Sequence, residues 1–175
     1  MMRKALVLAA SVAALVAVPV ALAHVEPTQS TAPAGGYPVI GFNVPHGCEG
    51  AATRQVTIQI PGGISYVKPK VKSGWRITLT KGTLPQPVKD FSGKTLTTGI
   101  TAVTWTGGPL PDAYLDTFEL MLGLPNTPGK TLYFKTVQRC TKGVNRWVEI
   151  PVKGQAEPEH PAPAVKLVKS TGSHG

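Results

Sequence analysis

Two histidines, two cysteines and one tryptophan are the residues of this chain whose types and positions suggest chemistry. His24 stands directly after Ala21-Leu22-Ala23, an A-x-A triplet of the kind found at signal-peptide cleavage sites. Cleavage there makes His24 the first residue of the mature chain. Its free α-amine and imidazole Nδ1 can then close on one ion as a chelate, and such near-planar nitrogens suit Cu(II) better than Mg or Ca. The bland alternative is a solvated histidine in a mobile terminus. His46, in His46-Gly47-Cys48, lies inside the predicted fold, whereas His160 and His174 fall in the C-terminal tail, where an isolated histidine is ordinarily solvated. Cys48 and Cys140 suit an oxidising compartment and one disulfide; the competing reading makes Cys48 a thiolate ligand beside His46, with Cys140 idle. Trp147 falls with Asn145 and Glu149, opposite Val148 and Ile150 on a predicted strand. That turns its indole away from the apolar face, unless it packs over the disulfide as a core residue.

The elements that must position these groups follow from the rest of the chain. Met1-Met2-Arg3-Lys4 is a short basic start and residues 5–22 form an almost unbroken run of Ala, Val and Leu, so 1–23 is predicted to be a secretory signal peptide. The mature protein is then expected in the periplasm or outside the cell, soluble after leader cleavage. Roughly 150 residues remain, enough for one domain with a real core. Loss of the leader takes Arg3 and Lys4 from the formal charge of +9 and leaves the chain basic. Such a charge serves solubility or adhesion to anionic headgroups and wall polymers. The Lys and Arg residues are scattered and not interleaved with aromatics, which argues against nucleic acid.

Strands are predicted at Val39–Val44, 54–60, 75–80, 100–105 and 116–122, each alternating or threonine-rich and bounded by Gly or Pro. The stretch 67–72 carries three lysines around Pro69 and reads as an edge strand or loop. Residues 131–139 and 144–150 flank Lys142-Gly143 as a hairpin. After Gly154 the composition turns to Pro, Glu, Ala and Lys, so 24–154 is expected to be the domain and 155–175 a flexible Pro-rich tail. The fold class implied is all-β, an antiparallel β-sandwich of immunoglobulin-like or related type. No G-x-S-x-G elbow, H-E-x-x-H pair or Gly-rich phosphate loop occurs, so the chain is expected not to be an enzyme.

Taken as an ordered set, the pieces resemble a known family. His24-Val25 after the A-x-A triplet, Gly35-Gly36-Tyr37, Val44-Pro45-His46-Gly47-Cys48, Pro61-Gly62-Gly63-Ile64, Lys72-Ser73-Gly74-Trp75, Thr104-Trp105-Thr106-Gly107-Gly108, Tyr114-Leu115-Asp116-Thr117-Phe118 and Gln138-Arg139-Cys140 with Arg146-Trp147 look like the YcnI-like family of exported copper-binding proteins. The resemblance runs from His24 to about Ile150. It implies copper as the bound metal, His24 as the bidentate amine and imidazole ligand, and Trp147 as the tryptophan close to the ion. It also implies partners among other periplasmic or membrane copper-trafficking proteins. Where relatives carry a glutamate ligand after the Gly-x-aromatic turn, this chain has Tyr37-Pro38, and proline offers no donor. His46 is the preferred substitute, with Glu26, Glu119 or water as alternatives. A disulfide from Cys48 to Cys140 would tether the His46 loop near the hairpin of Trp147. Two other function classes stay open: a copper-dependent oxidative enzyme with a monooxygenase-like histidine site, in which His46 supplies the second histidine, and a metal-free sandwich that binds wall or partner.

Overall fold

In the computed structural model residues 24–170 are described; the predicted leader and the last five residues, with His174, lie outside the described residues. Alternation of apolar and polar side chains, broken by Gly and Pro, builds strands throughout, with no helix among the described residues. One sheet has the order β1 (Glu26–Pro27), β3 (Val39–Val44), β8 (Asp116–Gly123), β5 (Tyr66–Pro69). A second has the order β11 (Val144–Trp147), β10 (Thr136–Cys140), β4 (Thr53–Gln59), β7 (Thr95–Leu110), β6 (Trp75–Lys89). A third, small sheet is formed by β2 (Thr31–Pro33), β12 (Ala164–Val168) and β9 (Thr131–Tyr133). Every pairing is antiparallel except β2 with β12.

The core is what the alternation demands. Phe42, Phe118, Leu120 and Leu122 from the first sheet meet Val56, Ile58, Val103 and Trp105 from the second in one buried cluster. Each such large side chain removed from water contributes about 1.5–3 kcal/mol. Trp105 and Trp75 both set their edges against Phe118, at centroid distances of 5.4 and 5.0 Å, so these two tryptophans serve packing. Pro69 sits on β5 at a sheet edge, the place for a residue that cannot donate to a ladder. Two of the three lysines around it are ion-paired: Lys70 pairs with Glu119 at 2.6 Å, and Lys72 pairs with Asp116 while its ammonium lies 4.8 Å from the Phe118 ring centroid.

Four expectations are corrected. The predicted strands 75–80 and 100–105 are too short, because β6 and β7 run on through 81–99 as a long hairpin whose turn is closed by Asp90. Asp90 Oδ1 accepts from Ser92 N, Ser92 Oγ and Lys94 N, and the Ser92 hydroxyl foremost holds its carboxyl below the usual range. Residues 131–139 are two strands rather than one: β9 pairs with β12, then the chain crosses at Phe134-Lys135 and β10 pairs with β4 and β11. The predicted strand 144–150 stops at Trp147, and Ile150 is 47% exposed, so the inward face is that of Asn145 and Trp147.

The fourth correction concerns the tail. Residues 155–175 are not uniformly flexible, because Ala164–Val168 forms β12 and buries Val165 and Leu167 between β2 and β9. The domain therefore extends beyond 154, at least to Val168. The Pro-rich composition concealed an alternation that Val165, Lys166 and Leu167 do carry.

Candidate metal centre

His24 is placed by the residues that follow it. Val25 is buried in the core, and β1 pairs Glu26 with Asn43 and Pro27 with Phe42. Thr28 then exchanges bonds with Gly41, its N–H donating to the Gly41 carbonyl and its Oγ1 accepting from the Gly41 N–H. The chain is thus held from Val25 onward. The His24 ring is half-buried, 5.5 Å from Trp147 by centroids, which is not the geometry of a freely solvated side chain.

His46 is fixed by a tight loop. Cys48 and Ala51 exchange both backbone bonds across Glu49-Gly50, whose φ values of 48° and 84° mark a two-residue turn with both central residues left-handed. Gly47 must lack a side chain, since a Cβ there would lie 1.9 Å from the Ala51 carbonyl oxygen. Its N–H donates to Asp112 Oδ1 at 2.9 Å. Cys48 is joined to Cys140 as a disulfide, so the thiolate-ligand reading of Cys48 is set aside. That bond brings the loop to β10, and the His46 ring stands edge-on to Trp147 at 6.3 Å. The His46 Nδ1 lies 2.6 Å from the Gly47 carbonyl. A carbonyl only accepts, so Nδ1 carries the proton and the lone pair of the neutral ring is on Nε2, the tautomer that a neighbouring carbonyl commonly imposes on a ligating histidine.

Trp147 is both core and site. It is 3% exposed and belongs to the main apolar cluster, and its indole N–H donates to Gln138 Oε1 at 3.2 Å. Gln138, itself buried, donates through Nε2 to the His46 carbonyl at 2.6 Å and to Thr53 Oγ1 at 2.8 Å. One amide therefore ties the tryptophan to the histidine loop. The sequence reading missed Gln138, yet a signal existed: two residues before a disulfide cysteine on the same strand, it must share that cysteine's inward face. We expect Gln138→Leu to lower unfolding free energy by on the order of 1–3 kcal/mol, because the indole N–H and the His46 carbonyl lose their buried partner. Urea unfolding followed by tryptophan emission measures it, and an unchanged midpoint would show the network to be dispensable.

A further histidine stands here that the sequence assigned to solvent. After β11, Val148 and Glu149 donate their N–H groups to the His160 carbonyl at 3.1 Å, the His160 N–H donates to Glu149 Oε2 at 2.7 Å, and Ala162 N donates to the Glu149 carbonyl at 2.7 Å. This clasp lays the His160 ring perpendicular to Trp147, 5.3 Å away. Its Nδ1 is buried without a hydrogen-bond partner, a condition that costs on the order of 1–3 kcal/mol. A cleft of about 270 Å³ opens beside these residues, lined by His24, Glu26, Ser30, Glu157, Pro161 and Pro163 among others.

Three imidazoles thus surround one indole. They are arrayed about it rather than converged: among the described residues no group of three or more His, Cys, Asp or Glu side chains is gathered to hold a metal ion. Of the other candidates, Glu26 borders the cleft, and Glu119, on β8 of the same sheet and separated from β1 by β3, is engaged by Lys70. The donors near Trp147 are mostly imidazole nitrogen, a set suited to Cu, Zn or Ni and poorly suited to Mg or Ca.

Comparison with known proteins gives a fold neighbour and a family. The chain is similar to a solved structure of an uncharacterized protein from Nocardia farcinica, described as having an immunoglobulin-like fold. The TM-score is 0.65 at 27% identity, over 83% of this chain and 99% of that one. No functionally curated protein matches. The family described as "Domain of unknown function (DUF1775)" matches residues 24–167, beginning at His24 and running through the returning segment to Leu167. The chain is therefore an immunoglobulin-like, all-β member of the DUF1775 family, to which the YcnI-like proteins belong.

Proposed function

We propose that the mature chain is an exported copper-binding protein that holds one ion through His24 for trafficking, delivery or buffering, and that it binds its cargo without turning it over. The observation that carries this reading is the grouping of His24 and His46 around the buried Trp147, at centroid distances of 5.5 and 6.3 Å. Cleavage behind Ala23 frees the α-amine beside the His24 imidazole and completes a two-nitrogen chelate. His46 contributes a second imidazole from a loop held by the disulfide, Asp112 and Gln138. Trp147 shields the ion, and its ring face attracts Cu(I) as a cation. Delivery then takes place in the periplasm or outside the cell, to or from other copper-trafficking proteins.

The test is titration of the processed protein with Cu(II), Zn(II) and Mg(II), following metal content and tryptophan emission. One copper per chain with quenched emission is expected, and no stoichiometric copper would overturn the reading. Trp147→Phe should abolish most of that quenching, because Trp75 and Trp105 pack on Phe118 instead of on the histidines. The same variant should cost on the order of 1 kcal/mol in urea unfolding, since Gln138 Oε1 loses the indole donor and keeps only the longer bond from Asn145 Nδ2 at 3.4 Å.

A further inference from the structure

We propose that His160 is a nitrogen donor of the same site, reaching it from the C-terminal segment that returns over Trp147; this rests on the copper reading above. Three independent features place it there. Its ring contacts the indole that His24 also contacts, at 5.3 and 5.5 Å respectively. Its backbone is clasped on both sides, by Glu149 Oε2 at the N–H and by Val148 and Glu149 at the carbonyl, so the ring is held in place and is not the end of a loose tail. Its Nδ1 is buried with no hydrogen-bond partner.

The third feature decides the chemistry. A phenylalanine or leucine would fill the space against Trp147 without burying an unmet polar atom, so packing alone does not call for histidine. With the ring's proton on Nε2, Nδ1 carries the lone pair, which is satisfied by a donor or by a metal ion. Pro161, Ala162, Pro163 and Ala164, directly after His160, line the cleft together with His24, so the backbone that carries the ring also forms a wall of the space beside the terminal chelate. Ion binding then draws His24 and His160 together, and the C-terminal segment is fastened over the site by its cargo. Two donors on elements far apart in sequence also make retention depend on β12 staying docked, which gives a receiving partner a segment to displace.

The experiment compares processed wild type with His160→Phe, which keeps a ring against Trp147, and His160→Gln, which keeps a polar side chain. Cu(II) electron spin-echo modulation counts the coupled imidazoles, and competition with a chelator gives Kd. We expect each variant to bind one copper with one imidazole fewer than wild type and a Kd raised about tenfold or more, by analogy with the loss of supporting groups around bound metals. Unchanged imidazole count and Kd in both variants, in protein that does bind copper, would overturn the assignment of His160. Loss of an imidazole in His46→Ala with none lost in either His160 variant would do the same and leave His46 as the second imidazole. Wild type that takes up no copper would fail for a different reason, sinking the copper reading and this one together.

Discussion

A form of the mature protein that keeps one extra residue ahead of His24 is expected to bind Cu(II) at least a hundredfold more weakly than the correctly processed form. The physical reason is the chelate. With the α-amine free, the second nitrogen of His24 binds intramolecularly once the first is attached, and such linkage raises apparent affinity by about 10²–10⁴ without any new contact. An added residue converts the amine to an amide, which has no available lone pair and cannot close the same ring. The rest of the protein is unaffected, since Val25 remains in the core and β1 remains paired with β3. Circular dichroism and unfolding should therefore coincide for the two forms while Cu(II) spin resonance differs. Equal affinity would move the ion away from the terminus and leave His46 and His160 to account for it.

Replacing Cys48 and Cys140 together by serine is expected to lower stability by about 4–5 kcal/mol, the loop-closure contribution of a crosslink between residues 92 apart. For a domain of this size that corresponds to a fall in Tm of roughly 10–20 °C. The site should suffer as well, because the disulfide fastens the His46 loop to β10. It is not the sole fastening: Gly47 remains bonded to Asp112, and Gln138 to the His46 carbonyl. Copper affinity below the new Tm should consequently fall less than stability does. Calorimetry and a copper titration at low temperature separate the two effects. A variant with unchanged Tm would mean that native strain cancels the crosslink's contribution.

Each proposed donor is positioned by different ties. His24 depends on backbone pairing next to it in sequence, Glu26 with Asn43 and Thr28 with Gly41. His46 depends on long-range ties to Cys140, Asp112 and Gln138. His160 depends on the return of the chain past Trp147 and on β12. Truncation before residue 160 is thus a different lesion from loss of a flexible tail, since it also removes Val165 and Leu167 from the core.

By itself the sequence determined whatever depends on local pattern. Period-two alternation specified β4 and β8 nearly to the residue, because a strand with one face on the core must place every second side chain inward, and Pro45 and Gly47 marked the end of β3. Pro69 marked an edge for want of a donor, and the lone pair of cysteines in a chain with a leader-like start indicated the disulfide that is present. Only the tertiary structure decided what depends on long-range register. Which face of β11 points inward was settled by its pairing with β10, which turns Trp147 onto Gln138 and reverses the face expected from Val148 and Ile150. The division of 131–139 between two sheets was settled by a crossover that leaves no mark in the alternation. The position of His160 was the least legible of all: a Pro-rich stretch of low apolar content is ordinarily too poor to fold alone, and this one is ordered because Glu149 clasps its start and β2 and β9 enclose its end.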